Sequence, residues 1–141
     1  MADPAHLGLP DYHGGLAGAL ATVGRFSEAL TQRQLAISAQ LSMDNDEPTA
    51  GVAIARYFLA DLYVQLDDPS SAIRAVEPSL EEGAAQEWLL RVVTAQSFHA
   101  LGQHEEAFRE AEIAVMTAPC EAKGNELLET LAPILSSRST G

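Results

Sequence analysis

Four histidines, one cysteine and a short acidic run are the side chains of this chain suited to acid–base, metal or nucleophilic chemistry. His99 and His104 straddle Gly102, so their imidazoles fall near each other, and an imidazole pair is how many zinc sites begin. No third ligand lies at a regular offset, which leaves the pair as surface histidines. His6 and His13 have no partner in the pattern. Cys120 follows Pro119 with no base to activate its thiol. As the single cysteine it excludes an internal disulfide and cysteine-built metal clusters, and it fits a reducing compartment. Asp44-Asn45-Asp46-Glu47 offers the oxygen ligands a hard cation needs. It lacks the alternation of ligand and spacer, the glycine at the bend and the distant glutamate of a calcium loop, and reads as a solvated loop. There is no Gly-x-Ser-x-Gly elbow. Gly15 and Gly18 make no nucleotide fingerprint, having no strand before them and a single lysine, Lys123, in the whole chain. The expectation is a protein that is not an enzyme and uses neither metal nor cofactor.

Charge narrows the partners. The formal net charge of −12 over 141 residues argues against a phosphate backbone or an anionic membrane face as ligand. It suits a solvated surface first, and capture of a basic or amphipathic protein segment second. No apolar run is long enough to span a bilayer, and the amino terminus shows no cationic segment followed by an apolar stretch, so the expected location is cytoplasmic. An apolar content of 47% is ample for one core.

The elements that would carry any site are helices. Leu101 to Pro119 reads as a turn and a helix: Gly102 closes the preceding helix, Glu105 and Glu106 suit a first turn, and Pro119 ends it. Ala107, Ala111 and Ala114 fall on one face, where small side chains admit a close neighbour. The same pattern occurs at Leu66-Asp67-Asp68-Pro69-Ser70-Ser71-Ala72 and at Val23-Gly24-Arg25-Phe26-Ser27-Glu28-Ala29. Upstream of each turn the offsets repeat again: Ala17 and Leu20 before Val23, Ala60 and Tyr63 before Leu66, Ala95 and Phe98 before Leu101. Three copies define a repeat.

This pattern resembles the tetratricopeptide repeat family over roughly Asp11 to Pro119, most clearly in the third copy. The resemblance implies an all-α fold, a right-handed solenoid of stacked antiparallel helix pairs with about seven helices. Asp67 stands where the family has glycine, and Asp67-Asp68-Pro69 still makes a good turn. The first unit is longer than the second by about two helical turns, as in the lengthened repeats of some bacterial regulators and motor light chains.

The expected organisation is an arm over 1–10, a single domain over 11–135 and a tail over 136–141. Within the domain the repeats span about 11–42, 49–83 and 84–119, and a capping helix covers 121–135 with a bend at Pro133 that would make it two short pieces. Helices are expected from Asp11 to Val23, Ser27 to about Ser42, Pro48 or Thr49 to Leu66, Ser70 to Leu80 with a kink at Pro78, and Ala85 to Leu101. The first helix carries Gly14, Gly15 and Gly18. These either admit a ligand or partner close to the backbone or mark a helix that frays alone, and the entropic cost of glycine favours the second.

In the resembling family, function sits on the concave groove lined by the first helix of each pair. Carried onto this chain, the groove is lined by Ile54, Tyr57, Asp61, Val64 and Gln65 from the second unit and by Leu89, Val92, Gln96 and His99 from the third. Trp88 stands at its edge, and Gly14, Gly18, Ala21 and Thr22 come from the first unit. The lysines and asparagines with which some members grip a terminal carboxylate are absent from these helices, where only Arg56 and Arg91 are cationic. The expectation is an interaction module, adaptor or regulator that takes an apolar protein segment with a basic residue for Asp61. The alternative is a self-associating scaffold, a homodimer or larger, in which Leu16 and Leu20 meet a second copy. A small acidic secretion chaperone is a variant of the first reading that requires a richer aromatic groove.

Overall fold

The computed structural model describes residues 9–47, 49–83 and 86–137, with side chains described from His13 to Ser136 within those spans. The expected arm up to residue 8, Pro48 as a helix opener, the start of a helix at Ala85 and the tail beyond 137 lie outside the described residues.

Eight helices are present among the described residues and no strand: α1 (Leu9–Thr22), α2 (Phe26–Met43), α3 (Ala50–Gln65), α4 (Pro69–Glu81), α5 (Glu87–Ala100), α6 (His104–Met116), α7 (Glu121–Thr130) and α8 (Ala132–Ser137). Consecutive helices pack in pairs, α1 with α2, α3 with α4 and α5 with α6, and the pairs are joined by α2 on α3 and α4 on α5. The result is an all-α stack with the pairwise packing of a helical solenoid. None of these helices is long and apolar enough to cross a membrane.

The three turns inside the pairs are built alike. At each, one residue takes positive φ: Gly24 at 83°, Asp67 at 59° and Gly102 at 78°. The next amide then reaches back to the last turn of the helix, Arg25 N–H to Leu20 O at 2.8 Å, Asp68 N–H to Tyr63 O at 2.9 Å and Gln103 N–H to Phe98 O at 2.9 Å. This is the closure that satisfies the orphan carbonyls of a helix end. Asp67 adopts the left-handed conformation without being glycine, as short polar side chains can. The carboxylate of Asp68 then caps α4, accepting from Ser71 N–H at 3.2 Å and from Ser71 Oγ at 2.7 Å, with Pro69 in the first turn.

The hydrogen bonds from Ser71 hold the Asp68 carboxyl below its ordinary value of 3.8. A carboxyl whose folded pKa is depressed adds stability above its unfolded pKa and loses it as pH falls through the folded one. Asp68→Ala is therefore expected to lower the urea midpoint at about pH 7, with the gap to the parent narrowing at about pH 3. A gap that stays constant between the two pH values would show that the charged form contributes nothing.

The extra length of the first unit resides in two places. The second helix of the pair, α2, has 18 residues where α4 and α6 have 13 each. A loop follows in which Asn45 and Asp46 both take positive φ. The loop is tied to the next helix by Asp44, which accepts from Gln40 Nε2 at 2.9 Å and from Thr49 Oγ1 at 2.6 Å. Thr49 Oγ1 in turn accepts from Val52 N–H at 3.2 Å as the cap of α3. Thr49→Ala removes cap and tie together and is expected to cost about 1 kcal/mol or slightly more in chemical unfolding. An unchanged unfolding midpoint would contradict that role.

Small residues set the helix spacing. Ala17, Ala29, Ala53, Ala60, Ala72, Ala95, Ala107, Ala111 and Ala114 are all fully buried. Larger apolar side chains fill between them: Val76, Leu90 and Val93 join α4 to α5 in the central cluster, and Leu127, Leu131 and Ile134 close the far end against α6. The cap is two short pieces, as Pro133 suggested, α7 and α8, with Leu131 between them and Pro133 in the first turn of α8. That raises the number of helices from about seven to eight. Pro133 suits the start of a helix, where its missing N–H leaves no hydrogen bond unmade. Pro78 lies inside α4, which still continues to Glu81.

Candidate interaction site

Two of the arginines on first helices of the pairs are occupied within the chain. Arg56 on α3 donates to the buried Ser79 Oγ at 2.8 Å and lies 3.4 Å from Glu82. Arg91 on α5 pairs with Glu110 at 2.6 Å and with Glu87 at 3.1 Å, and the Thr94 hydroxyl lies 3.2 Å from the same Glu110 oxygen. Burial acts to lower the Arg91 pKa, but the two glutamates outweigh it and hold it above its ordinary value. Both arginines therefore fasten the two helices of a pair to each other.

Arg33 is different. It projects from α2 and lies over the ring of Phe58 of α3, 5.0 Å from guanidinium carbon to centroid. Its Nε is shielded from solvent and donates to no acceptor. Burial lowers its pKa, with Asp61 acting weakly in the other direction. Arg33 and Phe58 together divide a crevice between the first pair and α3. One part, about 390 Å³, is lined by Gly14 and Gly15 of α1, Ala36 and Gln40 of α2, and Gly51, Ile54 and Ala55 of α3. The other, about 240 Å³, continues past Ala17, Gly18, Ala21 and Thr22 to Asp61, Leu62 and Gln65.

Glycines shape the first part. A side chain at Gly51 would meet the end of the Gln40 side chain, with Nε2 at 2.9 Å, and Gln40 would have to shift to admit it. A methyl at Gly14 would touch Arg33 Nη1 at 3.5 Å, while Gly15 and Gly18 face open space. The interior glycines of α1 thus leave room at the crevice wall.

Of the residues expected to line a groove, Ile54, Asp61 and Gln65 of α3 and Gly14, Gly18, Ala21 and Thr22 of α1 meet around this crevice. Ile54 is 36% exposed and Phe58 beside it 43%. Asp61 accepts from Gln65 Nε2 at 2.9 Å. Tyr57 is half-buried against the central cluster, and burial together with Asp61 raises its pKa. Val64 is 38% exposed, near the end of α3. The residues from the third unit lie elsewhere. Trp88 and Val92 pack on the cluster shared by α5, α6 and the cap, with the Lys123 ammonium 5.4 Å from the Trp88 ring. Leu89 is half-buried and Gln96 exposed. His99 and His104 do approach, their ring centroids 5.3 Å apart in an edge-to-face contact. Among the described residues no three His, Cys, Asp or Glu side chains are grouped to hold a metal ion.

The two residues proposed for contact between copies separate. Leu20 is buried against Ala29 and Leu62 of its own chain, and Leu16 packs half-buried on the same cluster. A charge at Leu20 would therefore disturb the first pair itself.

Sequence reading missed Arg33 and Phe58. Arg33 belongs to a second helix, which the repeat register assigns to the outside. The available signal was the lengthening of the first unit together with three glycines in its first helix.

The fold defines a class, an all-α stack of helix pairs with an open crevice beside its first pair. No family model matches the chain, and no curated protein matches it either.

Proposed function

We propose that this protein is an interaction module of the tetratricopeptide type, an adaptor or regulator without catalytic activity of its own, which holds a segment of a partner protein across α3. The observation that carries the reading is the pairing of Ile54 and Phe58, one helical turn apart, both exposed, at the edge of one crevice. Scattered apolar residues are ordinary on a protein surface, but two on one helix face beside an unfilled concavity suit an apolar anchor from a partner. The segment carries apolar side chains for Ile54 and Phe58. A cytoplasmic setting fits a single cysteine, Cys120, that is exposed and free.

The test is capture of defined peptides by the parent and by variants on the crevice. Ile54→Asp and Phe58→Ala, both at exposed positions of the crevice edge, should each weaken capture while the helical circular dichroism and unfolding midpoint hold. Retention of full binding by both variants would overturn the assignment to this face. Light scattering over about a tenfold concentration range tests self-association at the same time, since a dimer grows with concentration by mass action.

A further inference from the structure

We propose that the crevice selects a partner segment bearing an internal aspartate or glutamate, whose carboxylate pairs with Arg33 while a neighbouring apolar side chain rests on Phe58 and Ile54. The proposal rests on the interaction reading above and gives it a chemical specificity.

Three observations carry it. First, Arg33 is a cation left short of partners. Arg25, Arg56 and Arg91 each have a carboxylate in the chain and Arg74 donates to Ser71 Oγ at 3.1 Å; Arg33 and Arg109 form no ion pair among the described residues, and of these two Arg109 is exposed while Arg33 is half-buried. Its Nε is a shielded donor with no acceptor, a rare condition that a ligand would relieve. Second, the guanidinium is preorganised. Its contact with the Phe58 ring, 5.0 Å from guanidinium carbon to centroid, restrains the side chain before a ligand arrives, and the guanidinium fork suits a planar carboxylate. A neutral carbonyl would satisfy the N–H groups but leave the charge uncompensated in a partly desolvated site. Third, the crevice continues on both sides of Arg33, toward Gly51 and Gln40 in one direction and toward Asp61 and Gln65 in the other. The two concavities flank Arg33 on opposite sides, and a segment lying over both would carry its carboxylate internally and not at its end.

This differs from the basic residue that the sequence suggests for Asp61. Asp61 acts electrostatically on Arg33 without forming an ion pair with it among the described residues, and it already accepts a hydrogen bond from Gln65 Nε2 at 2.9 Å. The group left without a hydrogen-bond partner is the shielded Nε of Arg33. The net charge of −12 gives an acidic segment no long-range attraction, so recognition depends on this local pairing.

From Gly51 to Gln65 the crevice wall on α3 runs for about 21 Å at the helical rise, which an extended peptide covers with about six residues. The probe is a displayed library of random peptides of about twelve residues, long enough to overrun both ends and fused at the carboxyl end so that no terminal carboxylate is offered. Selection on the parent protein should enrich sequences with Asp or Glu next to a large apolar residue. For one enriched peptide, changing its acid to the amide should weaken binding to the parent by about tenfold or more, and Arg33→Gln should erase that difference. The change on the peptide needs no protein variant, so the result stands even if Arg33→Gln disturbs the fold. Enriched peptides without an acid, or equal binding of acid and amide forms, would overturn the carboxylate assignment. If those same peptides still require Phe58, the interaction reading survives. A selection that yields no peptide dependent on Phe58 overturns both.

Discussion

Leu90→Ala is expected to lower the unfolding free energy by about 2–5 kcal/mol, toward the upper end of that range. Leu90 is completely buried in the central cluster, between Ala53 and Ala60 of α3, Ala72 and Val76 of α4, and Val93 of its own helix. Most of its neighbours are alanine or valine, which have few rotamers with which to fill a void. The lost transfer free energy is therefore joined by the cost of a cavity that does not collapse. Because the cluster spans the second and third pairs, the damage falls on the joint between units, not on one turn. Chemical unfolding should show a midpoint shift without loss of helical signal in the native state, and a Tm lower by roughly 10 °C. A cost below about 1 kcal/mol would mean that the pairs are not coupled through Leu90.

Phe58→Asp is expected to weaken capture of a crevice-binding peptide by about thirtyfold or more, in the range of an aromatic hot spot. The substitution removes the ring that supports Arg33 and the apolar surface beside Ile54. It also places a carboxylate next to the guanidinium, so the cation gains an internal counter-ion and the ligand loses its site. Phe58 is 43% exposed, and the buried positions of α3 are Val52, Ala53, Leu59, Ala60 and Leu62, so the fold should survive. Titration by fluorescence anisotropy checks the affinity, and the unfolding midpoint checks the fold. Unimpaired binding by a folded Phe58→Asp protein would remove this crevice from the account.

Much of the architecture was legible because it is written in local chemistry. The three turns at Gly24, Asp67 and Gly102 are closed by hydrogen bonds between residues five apart, and such closures need only a residue tolerant of positive φ and an apolar helix end. The alanines at 29, 72, 107, 111 and 114 were readable as packing faces because helical spacing puts them on one side, and all are fully buried. Asp68-Pro69 and Thr49 announce helix starts by their own side chains.

The site was less legible because it depends on where whole helices lie. Ile54, Asp61 and Gln65 followed from the register of α3. Arg33 did not, since its access to the crevice arises from the placement of α1 relative to α3, a tertiary matter that no local pattern encodes. The lengthened α2 and its loop were visible only as a longer interval, with no sign of what the extra residues would expose. The division of the cap into two pieces, by contrast, was announced by Pro133, and the break falls at Leu131, where Leu127, Leu131 and Ile134 pack together on α6.

The most direct measurement is a footprint of a bound peptide carrying a nitroxide label, read as line broadening in the amide spectrum of isotope-labelled protein. The account predicts broadening at Gly14, Gly15, Ile54, Phe58 and Asp61, around the crevice, with Met116 and Leu128 at the far end of the stack unaffected. Broadening centred on Trp88, Val92 and the cap, with the amides around Arg33 and Phe58 unchanged, would contradict it.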